Sequence, residues 1–157
     1  MKAVIQRVSQ ASVCIKGQIY SQIQQGLLIF LGIEHSDKEQ DVVWLSKKIA
    51  NLRIFADENN QMNKSVIDTK GQILLVSQFT LHSKTKKGNR PSFIEAARPE
   101  DSKPLYESFV ERLSIESQKQ VITGKFGANM QVDLCNDGPV TLICLLYTSD
   151  AADDTPC

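Results

Sequence analysis

Gly26-Leu27-Leu28-Ile29-Phe30-Leu31-Gly32-Ile33 carries no polar side chain. A strand with one wet face alternates apolar and polar residues. A strand apolar on both faces belongs in the middle of a covered sheet. Directly after this run, Ser36 stands three residues before Glu39, a capping-box spacing, and Val42, Val43, Leu45, Ile49 and Leu52 recur at helical intervals. A helix over residues 37–52 is therefore expected, and its apolar stripe has to cover one face of that central strand.

Upstream, residues 1–20 read as two short strands, with Val13, Ile15 and Ile19 spaced around a Lys16-Gly17-Gln18 hairpin turn. Downstream come a short strand at 53–55, a polar turn at Asp57-Glu58-Asn59-Asn60 and a strand over 73–81. The first half of that last strand is wholly apolar, and its second half puts Gln78 and Thr80 on one face and Phe79 on the other. A second helix over 101–117 buries Leu105, Phe109 and Leu113, and tolerates Pro104 only in its first turn, where the missing N–H is not needed. Strands over 121–126 and 130–136 follow, then a turn at Asn136-Asp137-Gly138-Pro139 and a last strand at 140–143.

The order ββ-β-α-β-β-α-βββ implies an α/β fold of the α+β kind: a mixed β-sheet or half-open β-barrel with two helices packed on one side. One domain is expected over residues 1–143. From Cys144 the composition shifts, with Asp150, Asp153 and Asp154 among Ala, Ser and Thr and no basic residue, so 144–157 is expected to be a disordered or non-native tail.

The 157 residues suit one domain, and 41% apolar content suffices to close a core. Lys plus Arg equal Asp plus Glu at 18 each, so no global positive field advertises a nucleic acid, and any RNA contact must be a local patch. The longest strongly apolar run, residues 27–31, falls far short of the roughly 20 residues of a membrane helix. Lys2, Gln6 and Arg7 leave no apolar core for a signal peptide, so a soluble cytoplasmic protein is expected. Cys14, Cys135, Cys144 and Cys157 form no CxxC pair and are not interleaved with His, while Glu34-His35 and Asp57-Glu58 lack spaced partners. No metal site and no cofactor are expected.

Four segments carry chemistry. Ser77-Gln78-Phe79-Thr80 puts a hydroxyl and an amide at the end of an apolar strand, which fits either the rim of a pocket or a strand reaching solvent. Thr80 has no evident activating base, and His82 reads as a solvated loop residue. Arg7 lies in phase with Ala3 and Ile5 where an apolar side chain belongs; either it ends the strand in water or its fork of donors holds backbone carbonyls. Gly138-Pro139 suits a tight turn. The exposed loop with Lys84, Lys86, Lys87 and Arg90 suits either solvent or phosphates.

Taken together, Met1-Lys2-Ala3-Val4-Ile5-Gln6-Arg7-Val8, Ser77-Gln78-Phe79-Thr80-Leu81, Lys87-Gly88-Asn89-Arg90-Pro91-Ser92-Phe93, Gly127-Ala128-Asn129-Met130 and Asn136-Asp137-Gly138-Pro139-Val140-Thr141 resemble, in order and spacing, the D-aminoacyl-tRNA deacylases. The resemblance covers residues 1 to about 143. It implies a homodimer that hydrolyses the ester joining a D-amino acid, or mischarged glycine, to the 3′-terminal adenosine of tRNA. It further implies a cis Gly138-Pro139 bond, inserted into the partner's pocket as a filter that rejects L side chains, with Arg7 holding the Gly-Pro carbonyls. Ser77, Gln78, Phe79 and Met130 would bind substrate, Thr80 would be the catalytic threonine, and Lys84, Lys86, Lys87 and Arg90 would touch tRNA phosphates. Two alternatives stay open: a same-fold editing domain that removes a mischarged L-amino acid, as in archaeal threonyl-tRNA synthetases, and a non-catalytic RNA-binding module. A generic esterase lacks its GxSxG segment.

Overall fold

The computed structural model describes residues 1–146. Its spine is β1 (Lys2–Ile15), which pairs antiparallel along one edge with β8 (Gln131–Leu145). The other edge of β1 is shared. Its first half pairs antiparallel with β3 (Gly26–Gly32), from Lys2↔Gly32 to Val8↔Gly26, and its second half with β2 (Gln18–Ile23), from Ala11↔Ile23 to Ile15↔Gln18. The turn between β1 and β2 has Lys16 at φ 51° and Gly17 at φ 77°, the twist that suits a two-residue hairpin. β3 then runs parallel to β6 (Gln72–Ser77), and β6 parallel to β7 (Ile122–Thr123). Ser21 Oγ of β2 donates to the Thr123 carbonyl at 2.8 Å, drawing the two ends of this path together. The result is a mixed, nearly closed barrel.

The two faces of β3 explain its unbroken apolar run. Leu27, Ile29 and Leu31 point with Ala3 and Ile5 toward α1 (Glu39–Asn51) and α2 (Pro99–Ser117), meeting Val42, Leu45 and Ile49 of the first helix and Tyr106, Phe109 and Leu113 of the second. Leu28 points the other way, into the curl of the sheet, with Val8, Ala11, Val13, Ile23, Leu74 and Val76. Each such aliphatic side chain contributes on the order of 1.5–3 kcal/mol when fully buried. Both helices thus lie on one side, as the pattern predicted. No helix among the described residues is long and apolar enough to cross a membrane.

Several local expectations change. α1 begins at Glu39 after an N-cap at Lys38, and Asp41, not Glu39, closes the cap by accepting the Lys38 N–H at 2.8 Å. The residues before it are committed elsewhere: Asp37 accepts the Glu34 N–H at 2.8 Å and the Met1 ammonium at 2.8 Å. α2 begins at Pro99, whose missing N–H suits the first helical position. That early start puts Pro104 inside the helix rather than in its first turn. The strand at 53–55 becomes β4 (Phe55–Ala56), paired with β5 (Met62–Lys64) around the expected polar turn, and the strand at 121–126 shrinks to β7.

β6 stops at Ser77, and Phe79–His82 forms a 3-10 turn, so Gln78 and Thr80 do not share a strand face. That turn folds His82 inward to 1% exposure, against its expected place in solvent. The two last strands are one strand, β8, interrupted by a bulge. Packing also runs past the expected boundary at 143: Cys144 is fully buried and Leu146 is 2% exposed, and the Leu146 N–H donates to the Met1 carbonyl at 2.9 Å. The rest of the expected tail, 147–157, lies outside the described residues.

Candidate active site

The β8 bulge is set by register. Gln6 faces Thr141 and Val8 faces Asn136, so Asp137, Gly138, Pro139 and Val140 all stand opposite Arg7 alone. The loop they make is closed at its base by Asn136, which accepts the Val140 N–H at 3.0 Å and donates to Thr141 Oγ1 at 2.8 Å. Arg7 holds it from below. Its Nε donates to the Asp137 carbonyl at 3.0 Å and its Nη1 to the Ile54 carbonyl at 2.6 Å, with the Asp137 carboxylate 3.7 Å from Nε. Of the two readings of Arg7, the carbonyl clamp is the one found, although its acceptor is the residue before Gly138. The Gly138–Pro139 bond is cis, and both residues are exposed.

Elsewhere, a cavity of about 630 Å³ opens between the end of β6 and the start of α2. Ser77, Gln78 and Phe79 form one wall, Met130 with Phe126 and Gly127 another, and Ala97, Pro99 and Ser102 the floor toward α2. Phe79 is 55% exposed and meets Phe93 edge-on, ring centroids 5.2 Å apart, at the mouth. Phe126 is backed by Tyr106 at 5.4 Å. Tyr106 is itself pinned by its hydroxyl to the Leu75 carbonyl at 3.1 Å, and burial raises its phenol well above the ordinary value. A mostly apolar cleft of this size with a few polar groups is the usual form of a small-ligand site.

The cavity brings together Ser77, Gln78, Phe79 and Met130. Thr80 stands beside it rather than in its lining: its Oγ1 accepts from Gln78 Nε2, and the nearby His82 ring turns away toward Glu34. Among the described residues no base is hydrogen-bonded to the threonine. Gly138 and Pro139 do not reach this cavity in their own chain. Lys86, Lys87 and Arg90 are exposed on a loop closed by reciprocal Lys84–Ser92 backbone bonds of 2.8 and 2.9 Å, while Lys84 pairs with Glu95 at 3.0 Å. Among the described residues no group of three or more His, Cys, Asp or Glu could hold a metal ion. Sequence reasoning left Phe93, Phe126 and Ser102 without a role. An apolar Phe93 beside a basic loop was the one visible signal.

Comparison with known proteins matches this architecture to one family. The family model described as D-Tyr-tRNA(Tyr) deacylase matches residues 4–145. A D-aminoacyl-tRNA deacylase of Flavobacterium psychrophilum is 62% identical over 143 residues, 91% of this chain and 95% of that protein. One from Bacteroides fragilis (strain YCH46) is 60% identical over 145 residues, 92% of this chain and 96% of that one. Among solved structures, one titled c-Myc DNA Unwinding Element Binding Protein superposes with a TM-score of 0.88 at 42% identity, covering 94% of this chain and all of that one. A probable eukaryotic D-amino acid tRNA deacylase, at 15% identity and TM-score 0.80 over 91% of this chain and 97% of that one, shares the fold. The chain belongs to the D-Tyr-tRNA(Tyr) deacylase family.

Proposed function

We propose that this protein hydrolyses the ester of D-aminoacyl-tRNA, releasing the D-amino acid and tRNA and sparing the L-aminoacyl form, in a site completed by a second copy of the chain. The observation that carries the reading is a separation: Gly138-Pro139 stands exposed on a clamped bulge, away from the cavity walled by Ser77, Gln78 and Phe79 in the same chain. A homodimer in which each bulge enters the partner's cavity unites them. There the backbone carbonyls of Gly138 and Pro139 face the substrate's α-carbon and leave no room for an L side chain, so selection works by rejection. Glycine, lacking a side chain, passes. Met130 and Phe79 flank the terminal adenosine, and Lys86, Lys87 and Arg90, with Lys84, meet the tRNA phosphates. The work belongs to the cytoplasm, where tRNA is charged.

In the chemical step, water attacks the ester carbonyl and the ribose 3′-oxygen leaves with a proton. Because no base bonds Thr80 among the described residues, the reading favours water aided by backbone N–H donors and the substrate's own 2′-hydroxyl over a threonine nucleophile. Substrate ending in 2′-deoxyadenosine tests this: retained rates sink ribose assistance, whereas wild-type rates in Thr80→Ala sink the nucleophile. The function itself is tested by following ester loss from D-tyrosyl- and L-tyrosyl-tRNA. The expected result is loss of the D-ester alone; equal rates, or none, defeat the proposal. A binding protein without catalysis is the second reading, favoured by the name of the 42% identical structure. The balanced charge of the chain weighs against it.

A further inference from the structure

The turn that displays Phe79 and Thr80 is anchored from beneath by polar groups after the strand ladder has ended. The Gln78 N–H donates to the Leu31 carbonyl at 2.8 Å, and Lys2 Nζ reaches the Leu81 carbonyl at 3.4 Å. His82, the last residue of the turn, is 1% exposed, with Nδ1 3.6 Å from Glu34 Oε2. The seat is tight: a Cβ on Gly32 would lie 3.1 Å from His82 Cδ2 and 3.0 Å from Leu81 Cβ. Neither ring nitrogen completes a hydrogen bond of ordinary geometry, although the Gly32 backbone lies near. A polar ring buried on these terms is expensive and calls for a reason.

Glu34 supplies one, because its backbone bridges Ala96, and the Ala97 N–H donates to the Ile33 carbonyl at 2.9 Å. Both alanines line the cavity. The His82–Glu34 contact therefore ties the turn bearing Phe79 to the strip of chain that forms another part of the same cavity.

We propose that His82 is a positioning residue: an imidazole wedged under the turn against Glu34, whose protonation shifts Phe79 and Thr80 relative to the cavity. This rests on the deacylase reading above. Five influences act on the ring. Burial lowers its pKa most, the Gly32 backbone opposes that, the Met1 ammonium just before β1 and Lys2 at its start push the same way as burial, and the Glu34 carboxylate favours the charged form. The Met1 ammonium is itself held by Asp37 at 2.8 Å. The ring is thus neutral at neutral pH, and acidification places a charge beside Glu34 that draws the two together and moves the turn.

The test is the pH profile of D-tyrosyl-tRNA deacylation, with thermal unfolding of each variant alongside. Wild type is expected to lose kcat on the acid side. His82→Asn, whose amide is polar and of similar reach but does not titrate, keeps kcat near wild type at neutral pH and lacks that acid limb. Glu34→Gln moves the limb to lower pH by removing the carboxylate that favours the charged ring. His82→Leu lowers kcat roughly tenfold or more with KM little changed, the signature of misplacement. An acid limb that persists in His82→Asn, or stays unmoved in Glu34→Gln, overturns the proposal, as does a folded His82→Leu with wild-type kcat. Should the leucine variant not fold, the other two decide. If wild type hydrolyses nothing, the deacylase reading is what fails. The inference on His82 is then judged by NMR, where the Phe79 and Thr80 amides must titrate with the His82 ring, and amides that stay still overturn it.

Discussion

Gly138 has φ +136°, a conformation that L side chains rarely adopt, and a Cβ there would lie 2.8 Å from Val140 Cγ2 and 3.0 Å from Arg7 Nη2. Gly138→Ala should therefore cost about 1–3 kcal/mol of stability, read as a lower denaturation midpoint. It should also lower D-tyrosyl-tRNA turnover more than tenfold, on the order of the loss from a misplaced group. Arg7→Lys is a sharper probe. The guanidinium spans the Asp137 and Ile54 carbonyls at once, whereas an ammonium on a flexible stem satisfies one of them. A loss of about 1–3 kcal/mol is expected in chemical denaturation, and an unchanged midpoint would show that the clamp is not needed. Arg7 was legible in the sequence only as a charge in an apolar phase of the strand, because its acceptors lie 130 and 47 residues away. His82 was read as a solvated loop residue because it opens a polar, basic stretch; the 3-10 turn that folds it inward has no periodic signature in the sequence.

At the scale of elements, α2 carries an unneeded cost. Pro104 is exposed in the helix interior, where it has no N–H to offer the carbonyl four residues back. Pro104→Ala should raise the melting temperature, and a drop would mean that the proline restrains the unfolded chain more than it disturbs the helix. The β4–β5 hairpin depends on Asp57, whose carboxylate accepts from Asn63 Nδ2 at 2.7 Å and from the Gln61 and Asn59 N–H groups at 2.9 and 2.8 Å. The Asn63 bond first, then the Gln61 backbone, hold its pKa below the ordinary 3.8. A depressed acid stabilises above its unfolded value and loses that contribution as pH falls through the folded one. The protection of amides in residues 55–64, taken relative to the intrinsic exchange rate at each pH, should accordingly fall below about pH 4, and Asp57→Ala should lower it above that pH as well. Protection that stays constant across that pH range in the wild type would contradict this. Elements with strong periodicity were legible, β3 and both helices above all. Their ends were not, because caps and turns depend on partners outside the local pattern, as Asp37 does on Met1.

At the scale of the whole molecule, the C-terminal part of β8 belongs to the core although its composition suggested otherwise. Truncation before Cys144 removes two buried side chains, those of Cys144 and Leu146, and the bonds joining Leu146 to Met1. The leucine alone is worth about 1.5–3 kcal/mol, so the shortened chain should unfold at distinctly lower denaturant. The cavity and the bulge are the larger matter. Both motifs were visible in the sequence, yet nothing in one chain's pattern says that they sit apart, since separation is a property of topology. The direct test mixes two inactive partners: chains with a blocked cavity, Ala96→Trp, and chains with a spoiled bulge, Gly138→Ala. In a two-fold dimer half the mixed assemblies are heterodimers, each with one cavity and one bulge intact in the same site, so D-tyrosyl-tRNA hydrolysis should return to roughly a quarter of wild type. No recovery from two folded, exchanging partners would contradict a site shared between subunits.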